Sequence, residues 1–201
     1  MMRTTLNGCC WIASACVLAS LLAGCGEGTT SAGGIAPAGG AGKATAEIPL
    51  KVASWEEAQK IVASHKGKIV VLDLWSTYCP PCLKELPELA KLHQQHGEKV
   101  VCLSLNCNFT GSGSPDDERE AILKVLTEKQ ATFQNLISSD ADEDLYKKVG
   151  IASIPVVQVY DRTGKLSKQF DNEKNEYGND GFTYAKHVAP YVEKLLSEKA
   201  E

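Results

Sequence analysis

Trp75-Ser76-Thr77-Tyr78-Cys79-Pro80-Pro81-Cys82 is the stretch that decides the fold. It sets two cysteines two residues apart, directly after the apolar run Ile69-Val70-Val71-Leu72-Asp73-Leu74-Trp75, which reads as a buried strand. The segment that follows, Leu83 to Leu92, reads as an amphipathic helix. A C-x-x-C at a strand-to-helix junction is a redox motif with a mechanism. A helix start carries unpaired N–H groups and a partial positive charge, and a sulfur held there is favoured as thiolate, the reactive form. Two intervening residues make one turn, so the Cys79 and Cys82 sulfurs can close a disulfide and reopen it on thiol attack. With Cys79 as cap, Pro80 and Pro81 fall on the first helical positions, where a missing N–H costs little. They also remove two donors from the thiolate. That leaves the helix field and the Cys82 N–H to activate Cys79, and predicts a couple less oxidising than the strongest dithiol oxidants.

Zinc normally takes four ligands, and the chain offers neither a second C-x-x-C nor a paired histidine motif. No metal site and no cofactor are expected. His93 and His96 sit on a polar helix end and read as solvated surface.

The first 25 residues read as a signal: Arg3, then the apolar run Cys10 to Ala23, too short for a comfortable membrane span. Leu22-Ala23-Gly24-Cys25 resembles the lipobox of bacterial lipoproteins, which implies cleavage before Cys25 and lipidation of its sulfur. An ordinary secretory signal or an uncleaved anchor is the competing reading. Residues 26–47 are Gly, Ala, Ser and Thr with almost no large apolar side chain, a composition for a flexible tether. The expectation is a domain on the outer side of a bacterial cell membrane, held there by lipid. Of eight cysteines, Cys9, Cys10 and Cys16 would leave with the signal and Cys25 would carry lipid. Disulfides persist outside the cytoplasm, so a working reductant would need a dedicated membrane thiol donor.

Residues 48–201 suit one domain, expected to be monomeric. The formal net charge of −4 with no basic stripe argues against nucleic acid. Expected elements are an edge strand (48–52), a helix opened by the capping box Ser54-Trp55-Glu56-Glu57, strands over 68–75 and 99–105, and a helix from Pro80 kinked at Pro87. A helix capped by Ser114-Pro115-Asp116-Asp117 runs to about 130, followed by a short strand (133–137) and a helix ending at Gly150. A hairpin over 155–170 turns at Asp161-Arg162-Thr163-Gly164, and a terminal helix covers 182–198. This order gives an α/β fold whose sheet mixes parallel and antiparallel strands.

From about Ile48 the chain resembles the thioredoxin fold, and more narrowly the membrane-anchored thiol–disulfide oxidoreductases of the TlpA/ResA type. The resemblance rests on Trp75 to Cys82, Glu85, Pro87, Val149-Gly150-Ile151, Ile154-Pro155 and Asp161 to Lys165. Asn106 to Gln130 resembles the strand-and-helix material that this subgroup inserts. Tyr78 stands where the family usually has Trp, and the polar run Asp171 to Asp180 is longer than expected.

The resemblance implies a central mixed sheet flanked by helices and reduction of disulfide-containing protein substrates, such as apocytochrome c, or a part in envelope redox homeostasis. Cys79 would attack and Cys82 resolve. Asp73, six residues before Cys79, would have a raised pKa if buried. It resembles the buried acid that takes the proton of the resolving cysteine, although a hydrogen-bonded structural role is an equal alternative. Glu85, one turn after Cys82, either borders the site or is one of many surface glutamates. Pro155 implies a cis bond after Ile154, whose backbone would pair with an extended substrate. Trp75 and Tyr78 flank the dithiol and complete the expected substrate-binding set, Trp75 as packing beneath the loop and Tyr78 as docking surface. Cys102 and Cys107 lie about 17 Å apart along a strand, too far to bridge without a sharp turn. Cys102 reads as an inert core thiol. Cys107 emerges on the same sheet edge as Cys79 if the strands are parallel.

Two other functions compete. A thiol peroxidase would want a threonine three residues before its cysteine, whereas Thr77 lies two before Cys79. A copper-binding, metallochaperone-like module would want C-x-x-x-C and a distant histidine, for which only His187 lies late enough.

Overall fold

In the computed structural model, which describes residues 47–198, Ile69–Trp75 forms strand β2 with every residue buried. A run apolar on both faces belongs in the middle of a sheet covered on both sides. Around it stand β1 (Leu50–Ala53), β3 (Val100–Asn106), β4 (Gln134–Ser138), β5 (Val156–Tyr160) and β6 (Leu166–Phe170). The sheet order is β1-β4-β3-β2-β5-β6. The first four of these strands are mutually parallel, and β5 and β6 run antiparallel beyond β2.

Alternation along β2 distributes its side chains between two cores. Ile69, Val71 and Trp75 pack with Cys82, Leu86 and Leu89 of helix α2 (Pro80–His96), Ile122 and Leu126 of α3 (Arg119–Glu128), and Val192 and Leu195 of α5 (Ala189–Ser197). Val70, Leu72 and Leu74 face Ala58 and Val62 of α1 (Trp55–Ser64) and Leu145 of α4 (Asp142–Val149). Residues 47–198 therefore form a three-layer α/β sandwich. Cys102 lies in the first core and Cys107 in the second. Opposite faces of the sheet keep the two thiols apart, and both are free.

Local signals set most boundaries. Ser54 and Glu57 close a reciprocal capping box at α1. Gly150 ends α4 in the left-handed conformation (φ 77°) that only glycine adopts cheaply. The helix α2 runs on through Pro87, although the missing N–H deprives the Leu83 carbonyl of its donor.

Two helix boundaries differ from expectation. Ser114 does not cap α3. Asp117 Oδ2 accepts the Ser114 N–H at 2.8 Å, and its own N–H returns to the Ser114 carbonyl at 3.0 Å, closing a separate turn. The helix starts only at Arg119, whose guanidinium bonds Asp116 and, at 3.0 Å, the Leu50 carbonyl. The terminal helix is also divided. Tyr184–Val188 is a π turn, and α5 begins at Ala189. Pro190 explains the break, since its ring clashes with the carbonyl four residues earlier in a regular helix.

Ser54→Ala removes the acceptor for the Glu57 N–H, 3.2 Å away, and should lower unfolding free energy by about 1 kcal/mol. A urea titration followed by circular dichroism checks this, with an unchanged midpoint as the contrary result.

Candidate active site

The sulfur of Cys79 caps α2. Its Sγ accepts the Cys82 N–H at 3.3 Å, its carbonyl accepts the Leu83 N–H at 3.0 Å, and Pro80 and Pro81 fill the first helical positions. Cys79 and Cys82 form a disulfide with Cα atoms 5.3 Å apart. Cys79 is the more exposed of the two, and it faces a cleft of about 830 Å³. Of the pair, Cys79 is the one that lines the cleft.

The loop before Cys79 is a closed turn. Ser76 accepts the Tyr78 N–H on its hydroxyl and the Cys79 N–H on its carbonyl, both at 3.1 Å. Tyr78 stands out at 73% exposure on the cleft rim. Trp75 does the opposite. It is fully buried and its Nε1 donates to Ser104 Oγ at 3.2 Å, so burial removes it from the substrate-binding set and leaves it the support beneath the loop. Ile154–Pro155 is cis, and Ile154 lines the same cleft as Cys79, with Ala152 and Ser153.

Beneath the dithiol, Asp73 shares the face of β2 that carries Trp75 and meets Cys82 in the core. It is 4% exposed, and burial pushes its carboxyl from 3.8 to about 7, against the opposing pull of a hydrogen bond from Tyr184. That phenol donates to Asp73 Oδ2 at 2.7 Å. The Tyr184 N–H donates to Glu85 Oε2 at 2.8 Å. Glu85 is thus engaged with the π turn, one helical turn below Cys82, and Tyr184 joins it to Asp73. Burial pushes the Tyr184 phenol far up, so it keeps the proton that it donates to Asp73.

The remaining candidates are accounted for by packing. Burial raises the thiols of Cys102 and Cys107 and keeps them protonated. Cys107 reaches the wall of the same cleft as Cys79, since β2 and β3 are parallel, but as a protonated thiol. His93 packs edge-on against Phe133 and burial lowers its pKa, while His96 bonds Glu193 at 2.8 Å. His93 is thus drawn into the helix packing, while His96 stays half-buried in a pair with the exposed Glu193. His187 Nδ1 is occupied by the Thr183 N–H at 2.9 Å. The signal (1–25), Cys25 and the linker through residue 46 lie outside the described residues.

Sequence reasoning missed Tyr184 and Asn108. Tyr184 lies 111 residues from the acid it bonds, and only the unmatched buried Asp73 signalled that a donor must exist. Asn108 accepts the Thr77 N–H at 3.0 Å from 31 residues away.

A carboxyl raised by folding destabilises the native state once it ionises. Stability from Asp73 is fully present below its unfolded value of 3.8 and is lost as pH rises through about 7. Asp73→Asn should remove that decline. Urea midpoints should then be higher than wild type at pH 8 and converge with it toward pH 4; parallel curves at both pH values would contradict the assignment.

The comparisons with known proteins agree with this geometry. The Redoxin family model matches residues 41–189. The chain is similar to the thiol-disulfide oxidoreductase ResA of Bacillus thuringiensis subsp. konkukian, 27% identical over 146 residues that cover 72% of this chain and 78% of the relative. It is also similar to the thiol:disulfide interchange protein DsbE of Pseudomonas aeruginosa, 28% identical over 68% of this chain and 66% of the relative. In fold it is similar to a secreted Mycobacterium tuberculosis disulfide oxidoreductase, with a TM-score of 0.51 and 20% identity over 66% of this chain and 86% of the other. The chain belongs to the Redoxin family, as a thioredoxin-fold protein of the TlpA/ResA type.

Proposed function

We propose that this thiol–disulfide oxidoreductase works as an extracytoplasmic reductant of protein disulfides, tethered to a bacterial membrane through lipid on Cys25. The observation that carries the redox reading is the Cys79–Cys82 disulfide closed on the first turn of α2, with Cys79 as the cap. A buried structural bridge has no use for a cleft; this one has a cleft beside its outer sulfur.

The Cys79 thiolate attacks one sulfur of a substrate disulfide. A Cys79–substrate bond forms and the other substrate sulfur leaves as thiolate. The Cys82 thiolate then attacks Cys79 Sγ, closing the Cys79–Cys82 bond and releasing the second substrate thiolate. Two electrons pass from the dithiol to the substrate, and a membrane dithiol that is itself oxidised to a disulfide restores the reduced pair. Asp73 takes the proton that Cys82 gives up. A value of about 7 suits that exchange near neutral pH. Tyr184 holds the carboxylate toward its donor, and Glu85 fixes Tyr184. The substrate lies extended along the Ile154 backbone with Tyr78 at the rim. Following the family resemblance, the substrates include apocytochrome c disulfides before haem attachment. Residues 1–25 act as the signal and 26–47 as the tether.

Insulin reduction in the presence of dithiothreitol tests the activity. Wild type should accelerate precipitation of the insulin chains, Cys79→Ser should abolish this, and Cys82→Ser should accumulate a mixed disulfide visible on non-reducing gels. An equilibrium potential near about −270 mV supports a reductant, and one near about −120 mV overturns that direction. Cys25→Ser should move the protein from the membrane to the soluble fraction of expressing cells; retention on the membrane excludes the lipid tether.

A further inference from the structure

The loop that presents Cys79 has three backbone N–H groups to satisfy. Those of Tyr78 and Cys79 turn back onto Ser76. That of Thr77 leaves the loop and donates to Asn108 Oδ1 at 3.0 Å. Asn108 is 8% exposed and stands just past the end of β3, at the base of the irregular segment 107–118 that walls the cleft. Its amide is fully used. Oδ1 also accepts from Asn106 Nδ2 at 3.1 Å, while Nδ2 donates to Thr77 Oγ1 at 2.7 Å and to Glu118 Oε2 at 2.5 Å. Its own N–H donates to Asn106 Oδ1 at 3.0 Å. Two donors and two acceptor positions on one short side chain are what an amide supplies, and aspartate lacks the donors.

We propose that Asn108 is a positioning residue for Cys79: it clasps the nucleophile's turn to the cleft wall and thereby sets the reactivity of the thiolate. The proposal rests on the thiol–disulfide reading above. The helix field acts on a charge only within the first turn, so Cys79 Sγ gains from it only while the preceding turn holds the sulfur in line with the Cys82 N–H. The β2 end is already fixed, because the Cys107 N–H donates to the Trp75 carbonyl at 2.7 Å. Thr77 is the next point at which the loop can be held, and Asn108 takes both its N–H and its hydroxyl. The groups facing the clasp are Glu118 and, on the same cleft, Tyr78, Asp117, Asp142 and Tyr146. The Glu118 carboxylate raises the pKa of the Tyr78 phenol. The clasp therefore has acidic neighbours and no cationic ones in the cleft lining.

The test is the pH dependence of iodoacetamide alkylation at Cys79 in the reduced protein, read by peptide mass, with urea stability measured alongside. Asn108→Ala should shift the profile to higher pH and slow alkylation at pH 7 by about three- to tenfold, the worth of one lost hydrogen bond. Asn108→Asp keeps the shape but opposes Glu118. Its rate relative to wild type should be lowest at pH 8, recover toward pH 5 where a shared proton restores a donor, and be restored at pH 8 by adding Glu118→Gln. A folded Asn108→Ala or Asn108→Asp protein whose alkylation profile superposes on wild type overturns the proposal, including when its urea midpoint falls. Should Asn108→Ala fail to fold, the Asp variant at the two pH values decides. Alkylation needs no substrate turnover, so a wild-type protein inactive on insulin would defeat the reductant reading and leave this result standing on its own.

Discussion

A sulfur sits where a hydroxyl or carboxylate usually caps a helix, and the first turn above it is made of two prolines. Every other feature of the site answers to that constraint. The cap must be delivered by a strand whose end does not move, which is why β2 is buried on both faces and lies between a parallel and an antiparallel neighbour. The prolines fix the entry to α2 and withhold two donors. The Cys82 N–H at 3.3 Å is left as the local hydrogen bond to the sulfur. With so few contacts on the sulfur itself, its reactivity depends on how accurately the preceding turn places it.

The two cysteines consequently live in different environments three residues apart. Cys79 faces a cleft and the positive end of a helix dipole. Cys82 points into an apolar core, on the side of the sheet that carries the buried Asp73. The first setting favours loss of a proton to solvent. The second disfavours charge, so a proton leaving Cys82 needs an internal acceptor. In the proposed mechanism that acceptor is Asp73, whose carboxyl burial pushes up to about 7. The hydrogen bond from Tyr184 limits that rise, since the same bond that stabilises the carboxylate opposes the desolvation that protonates it.

Sequence reading reached the parts of this arrangement that are local. The capping box at Ser54, the sulfur cap at Cys79 and the left-handed Gly150 are each decided within four or five residues, and the apolar run identified β2 as a buried strand. The parts it missed are contacts made across the sheet. Ser114-Pro115-Asp116-Asp117 has a helix-cap composition, but Arg119 is drawn to the Leu50 carbonyl on β1 and the helix waits for it. Trp75 as the packing residue and Tyr78 as the exposed one were legible, but the buried partner of the Trp75 indole, Ser104 Oγ on β3, was not. Asn108 was one polar residue in a polar loop until the fold put it under Thr77.

The π turn at Tyr184–Val188 shows how one such long-range contact is made compatible with a packed helix. The buried positions of the terminal segment are Tyr184, Val188, Val192 and Leu195. Steps of four overshoot an α-helical turn of about 3.6 residues, and two in succession would carry Val192 toward the edge of the stripe that begins at Tyr184. A wider first turn absorbs the overshoot. Pro190 enforces it by excluding the narrower alternative, and the Val188 N–H reaches back to the Thr183 carbonyl at 3.4 Å accordingly. Tyr184 can then point at Asp73 while Val192 and Leu195 stay in the core. A proline far along the chain thus helps hold the donor that keeps the buried acid titratable near neutrality.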